Sequence, residues 1–286
     1  MPFLILVSLI WGFSFVIIKG SLTSLDSSFV AFARLLLSLI VFLPFLRPAR
    51  IPFSGKLQLM MIGGVQYGVM YLAYIAAFRD LPAHVVALLT TTTPIFVSIV
   101  SSLYAGKTRR SALWIALLAV AGGAVLEFPD QPLAASLRGT LLVQISNAAF
   151  AFGQVAYGRW MASRTGLKDR SIFAFLYAGA AAVTAVFALL AAEYDRVSIQ
   201  PHQWYALLYL GVIASGIAFF LWNVGARKVD EGVLAIMNNM KIPVAVIASL
   251  VILGERTGGV RLLTGCFLIG SALYLNERFR DKTPTS

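Results

Sequence analysis

Of the 286 residues, 59% are apolar and only 12% charged, roughly half the charged share of an ordinary soluble domain. This excludes a soluble globular enzyme. The net charge of +11 does not point to nucleic acid, because the basic residues lie in short connections between apolar stretches. The single cysteine, Cys266, excludes an internal disulfide.

Ten apolar stretches lie near residues 2–18, 29–46, 57–78, 81–105, 111–128, 139–158, 171–192, 203–226, 232–253 and 258–275. Each approaches the ~20 residues that cross a hydrocarbon core, so the expected fold is all-α: a polytopic membrane protein of ten transmembrane helices. The first stretch has no basic leader or cleavage site and reads as a retained helix. Its Trp11 and Ser14 share a face, and Lys19 ends it as an interfacial anchor. Arg34 lies about six residues into the second stretch, placed either as a buried cation or to snorkel to the surface. The third aligns Tyr67, Tyr71, Tyr74 and Phe78 on one face, for packing or for stacking and cation–π contact with a substrate. Its Gly64 and Gly68, like Gly122, Gly123, Gly265 and Gly270 in the fifth and tenth, suit close helix contact. In the fourth, Thr90–Thr93 precede Pro94, and in the ninth Pro243 holds the matching place. Both prolines predict a bend or hinge.

The sixth stretch places Gln144, Asn147 and Gln154 on one narrow stripe, expected to meet protein or a water-filled path. Asn223 in the eighth is a further polar candidate. In the ninth, Asn238 and Lys241 share a face, and Lys241 is too deep to snorkel easily. No Asp or Glu lies deep in any stretch. An intramembrane cation is costly, so the positive interior predicts that a substrate's carboxylate or phosphate supplies the missing charge at Lys241. The structural alternative is a lysine bonded to helix carbonyls or water.

The chain repeats itself. TTTPIFVSIVSSLYAGKTRRS around Pro94 matches MKIPVAVIASLVILGERTGGV around Pro243, and GGVQYG (63–68) matches GVIASG (211–216) with a one-residue shift. Five stretches per copy is an odd number, so the second copy enters the membrane upside down, as in transporters with a midplane site. The expected halves are 1–130 and 138–286. Counting loops from a cytoplasmic N-terminus gives fifteen Lys and Arg inside and five outside, which places both termini in the cytoplasm.

Trp11-Gly12-Phe13-Ser14-Phe15 with Lys19, Ala33-Arg34, and Pro243 followed by Leu253-Gly254-Glu255-Arg256 resemble the EamA family of the drug/metabolite transporter superfamily. The resemblance implies a ten-helix bacterial inner-membrane carrier, often an exporter of amino acids or related metabolites. The chain departs from the family pattern at Gly106, where the second copy has Glu255. It also lacks the glutamate that small multidrug-resistance relatives carry in their first span. The expected function is alternating-access transport of a small amino acid or related carboxylate or amine, in the direction of efflux, with a sugar-phosphate or other organophosphate exchanger as the runner-up. His84 and His202 stand apart and no metal-ligand spacing appears, so neither an enzyme nor a metal or other cofactor is expected. The expected partners are a small-molecule substrate and the bilayer, with the chain a monomer or homodimer.

Overall fold

A computed structural model describes residues 2–48, 51–106, 133–164, 166–191, 199–229 and 237–255, with isolated positions at 234 and between 260 and 278. The fifth apolar stretch lies outside the described residues, as does Gly265, and the tenth lies only partly inside. Eight helices carry the description. They are α1 (Pro2–Leu22), α2 (Ser27–Phe45), α3 (Phe53–Asp80), α4 (Ala83–Tyr104), α5 (Leu133–Ala162), α6 (Phe173–Ala191), α7 (Pro201–Ala226) and α8 (Met237–Ile252). Six of them, α1–α4, α6 and α7, are long and apolar enough to cross a membrane. The fold is an all-α multi-pass membrane fold. Helix α1 shows the inside-out pattern this requires. Leu6, Leu9 and Phe13 are exposed, while Leu4, Val7, Ser8, Trp11 and Ser14 are buried.

Chain direction follows from contacts at the helix ends. Lys19 reaches Phe78 and Leu81, Arg138 pairs with Asp80, and Gln203 bonds Ser21 and Ser24. The end of α1, the end of α3 and the starts of α5 and α7 therefore share one face, called here the Asp26 face. At the opposite Asp169 face, Trp160 bonds Gln58, the Arg47 amide bonds the Ser171 carbonyl, and Arg227 pairs with Asp169. Helix α1 thus runs toward the Asp26 face and α5 away from it. Helices α2 and α6 are likewise opposed, so the second copy is inverted relative to the first.

The helix pairings obey the same exchange. Contact α1–α8 has α5–α4 as its mate, α1–α7 has α5–α3, and α2–α7 has α6–α3. The outcome is two groups, α1–α2–α7–α8 and α3–α4–α5–α6, each built from both copies. They meet through α2–α6 and α4–α8. Two repeat-related ion pairs bridge the groups, one per face: Arg79–Asp26 at 3.5 Å and Arg227–Asp169. Asp26 also caps α2, accepting from the Ser28 and Phe29 amides at 3.0 Å. Such a cap contributes about 1 kcal/mol.

The matching GGVQYG and GVIASG segments both leave the α-helical register. Residues 64–69 of α3 and 209–217 of α7 are π-helical. Wider turns free carbonyls, and neighbouring helices supply the donors. Trp11 Nε1 donates to the Ala214 carbonyl at 3.0 Å, Ser38 to Gly211 at 2.8 Å, and the Tyr177 hydroxyl to Ser215 and Gly216 at 2.5 and 3.0 Å. Glycines let the partner helices close on these segments. A Cβ on Gly63 would stand 2.0 Å from the Leu176 carbonyl oxygen, and one on Gly179 would stand 1.9 Å from that of Met60.

Candidate functional site

A central cavity of about 70 Å³ lies where the two groups meet. Helix α1 contributes Trp11, Ser14 and Phe15 to its wall, α2 contributes Arg34, and α3 contributes Met70, Tyr71 and Tyr74. The rest of the wall is Thr90 and Thr93 of α4, Ser146, Asn147 and Phe150 of α5, Phe219 of α7 and Lys241 of α8. The volume lies well below the ~300–1,000 Å³ of occupied small-molecule sites, so the helix groups must part to admit a metabolite; the mostly apolar wall with a few polar groups is the usual chemistry of such sites.

Arg34 is 1% exposed. Its Nε donates to Ser215 Oγ at 3.1 Å and its Nη2 to the Tyr71 hydroxyl at 3.0 Å, and that hydroxyl lies 2.8 Å from Ser215 Oγ. The guanidinium carbon also sits 4.3 Å from the centre of the Tyr71 ring. Nη1 is buried with no partner among the described residues. A guanidinium keeps its proton, so this is a buried permanent cation with one donor nitrogen unused. Snorkelling to the surface is thereby corrected. The π-helical turn of α7 brings Ser215 to the guanidinium and holds it inside.

Lys241 is buried, donates to Asn238 Oδ1 at 3.1 Å and lies 5.2 Å from the centre of the Trp11 ring. Asn238 therefore stands behind the lysine rather than in the wall. No described lining residue is an acid, and among the described residues no three His, Cys, Asp or Glu side chains converge to hold a metal.

The amide stripe of α5 splits. Asn147 lines the cavity, but its bonding groups are occupied. Its Nδ2 donates to the Leu89 carbonyl at 3.0 Å and to Thr92 Oγ1 at 2.9 Å, and its Oδ1 accepts from Thr93 at 3.1 Å. Gln144 lies behind it and accepts from Thr92 at 2.7 Å. Both amides tie α5 to the tight turn at Thr90–Thr92 that precedes Pro94. Gln154 lies nearer the Asp169 face and accepts from Trp222 Nε1 at 3.0 Å. The tyrosine stripe splits too. Tyr71 and Tyr74 line the cavity, whereas the π-helical turn carries Tyr67 away. Tyr67 stacks on Tyr177 at 5.3 Å and accepts from Asn223 at 2.7 Å. Gln144, Gln154, Asn223, Asn238 and Tyr67 thus stand outside the cavity lining, bonded among the helices around it. Pro243 is the third residue of the helical segment that begins at Lys241, just after the turn at Met240, so both prolines follow breaks in their helices.

Sequence reasoning missed Phe15, Met70, Ser146, Phe150, Phe219 and Ser215. Ser215 was findable as the polar residue inside a repeated glycine-rich segment. Gln66, in the other π-helical segment, is fully buried, and both its amide atoms lack partners among the described residues.

An inverted all-α bundle enclosing a cationic, aromatic-walled cavity is the architecture of a membrane carrier. The model of the EamA-like transporter family matches residues 1–128 and again 139–276, and the chain belongs to this family. It is 34% identical to the biotin transporter of Escherichia coli (strain K12), over 98% of this chain and 93% of that one. It is also 34% identical to the probable biotin transporter of Pseudomonas aeruginosa, over 97% of each chain. Protein PecM of Dickeya dadantii is 24% identical over 79% of this chain and 75% of its own. A solved structure described only as a crystal structure of a protein superposes with a TM-score of 0.65 at 18% identity, covering 99% and 98% of the two chains, which bears on fold alone. The protein is a multi-pass small-metabolite transporter and not an enzyme.

Proposed function

We propose that the protein carries biotin, or a small carboxylate of the same build, across the bacterial inner membrane by alternating access of the central cavity. The observation that carries this reading is the unused Nη1 of Arg34, a buried donor on a side chain that lines a cavity with no acid among its described lining residues. A carboxylate supplies the acceptor it lacks, with Lys241 as the second cation. Biotin joins a carboxylate to an apolar chain and a fused ring pair. The Trp11, Phe15, Phe150 and Phe219 side chains suit the apolar part, and the Ser14, Tyr74 and Ser146 hydroxyls suit the ureido edge. An α-amino acid, the class expected from the sequence, would bring an ammonium beside two cations with no anion to receive it. The biotin transporters similar along nearly the whole chain support the same choice. In this reading the chain divides into halves at 1–130 and 138–286, inverted copies that each contribute helices to both groups.

The test is uptake of radiolabelled biotin into liposomes holding the purified protein, with competition by amino acids and by sugar phosphates. Biotin uptake is expected to be saturable and to be lost in Arg34→Gln and Lys241→Ala, while both variants remain folded in detergent. Saturable transport of a sugar phosphate with no biotin uptake would establish the exchanger instead. Retention of full uptake by Arg34→Gln would overturn the anion site.

A further inference from the structure

At the Asp26 face, the turn between α3 and α4 is gripped at both ends by opposite charges. Lys19, in the last turn of α1, donates from Nζ to the carbonyls of Phe78 at 2.6 Å and Leu81 at 3.0 Å. Glu255, just past the end of α8, accepts from the backbone N–H of Ala83 at 2.8 Å and of His84 at 3.2 Å, and lies 2.6 Å from His84 Nδ1. The carbonyls at the end of α3 and the amides at the start of α4 have no partners within their own helices. A cation on the first and an anion on the second satisfy both and complement both helix dipoles. Lys19 and Glu255 flank one helix group, and the gripped turn belongs to the other. Between this grip and the cavity, Phe15 and Phe78 each pack against Tyr74 with ring centres 5.8 and 5.1 Å apart, and residues 83–93 are all buried. The cavity is shut on this side by contacts that cross the group boundary.

We propose that Lys19 and Glu255 are gating residues: together they lock the Asp26 face, and their release from the α3–α4 turn is the step that opens it. This rests on the carrier class alone and not on the substrate. Among the described residues the lock is found at the Asp26 face alone. The Arg79–Asp26 and Arg227–Asp169 pairs recur once per face and favour neither. The carboxylate does not recur, because Gly106 stands in the first copy where Glu255 stands in the second. Gly106 has φ 70°, and a Cβ there would meet nothing within 4 Å. In the second copy the positive φ falls one residue earlier, at Gly254 (φ 63°), and Glu255 follows that turn toward α4. Glu255 is held in the anionic form the grip needs. Burial pushes its carboxyl up, but hydrogen bonds from the His84 side chain and from the Ala83 and His84 amides outweigh burial and hold it below the usual range.

The test places one reactive cysteine in the cavity, Ser14→Cys in a Cys266→Ala background, and treats each side of the membrane separately with an impermeant thiol reagent. A cysteine at Ser24 marks the Asp26 face. Glu255→Gln and Lys19→Met are each expected to raise labelling from that face roughly tenfold or more, the factor expected when a charge-assisted hydrogen bond is lost. Labelling from the opposite face should fall in the same variants, and Lys19→Arg should label as slowly as the unsubstituted lysine. Acceleration from both faces, as in a loosened or unfolded bundle, would overturn the gate, and so would unchanged rates from the Asp26 face. Absence of biotin transport by the unsubstituted protein, with the labelling behaviour as expected, would refute the substrate reading and leave the gate standing.

Discussion

Arg34 is the residue whose surroundings make least sense without a ligand. Two acceptors and an aromatic face hold it in place, yet a nitrogen of a permanent cation is left with nothing to bond. Tyr71 is the orienting partner, because its hydroxyl touches both Arg34 and Ser215. Tyr71→Phe keeps the ring under the guanidinium and removes one hydrogen bond to a charge, worth about 1.5–3 kcal/mol. The expected result in liposomes is a KM for biotin raised about tenfold or more with little change in maximal rate; an unchanged KM would mean the hydroxyl does not position the cation. The sequence showed both cations but ranked Lys241 above Arg34. Sequence gives depth only as distance from the end of an apolar stretch, and a residue six places in is within a long side chain's reach of water. What buries Arg34 is a serine 181 residues away, on a helix whose local winding no composition reveals. Asn147 shows the converse. Its inward position was legible from spacing, but its role was not, since an amide bonding a helix break and one bonding a ligand look alike in one dimension.

At the level of the element, the two π-helical segments decide which side chains meet. Their repeat relationship was legible, as GGVQYG and GVIASG, but their winding was not, because the same residues serve either register. The cost of missing it was one residue of the tyrosine stripe: Tyr67 turns from the cavity and stacks on Tyr177. The glycines opposite these segments give a sharp prediction. In Gly179→Ala the new methyl would lie 1.9 Å from a backbone oxygen of α3, which cannot rotate aside. The penalty should exceed the ~1–3 kcal/mol of ordinary overpacking and appear as a large fall in melting temperature or loss of folded protein. Gly158→Ala meets nothing within 4 Å and should melt like the parent, being a favourable change within a helix. Equal melting of the two variants would show that α3 and α6 do not pack this closely. Pro94 was legible as a bend. The bonding of its freed turn by Thr92, Thr93, Gln144 and Asn147 required the neighbouring helix.

For the whole molecule, inversion was legible from an odd number of stretches per repeat, and the end-to-end contacts give it geometric form. The regrouping into α1–α2–α7–α8 and α3–α4–α5–α6 was not legible, because a repeat found in sequence suggests that each copy packs as its own body. The charge bias predicts that the Asp169 face is cytoplasmic. Reporter fusions at Ser286 and within 193–202 should then give cytoplasmic and external signals respectively; identical signals at the two sites would contradict the orientation. The shared groups also set a timetable for biogenesis. Trp11 leaves the ribosome early, but the Ala214 carbonyl it bonds is made 203 residues later. At the ~5–20 residues per second of synthesis, that is a wait of roughly 10–40 s. Through that interval α1 and α2 stand in the bilayer with Ser8, Trp11 and Arg34 lacking their final neighbours on α7 and α8. Neither half can complete a group before the other is inserted, so a chain truncated before α7 should be a substrate for membrane quality control rather than a stable half-carrier.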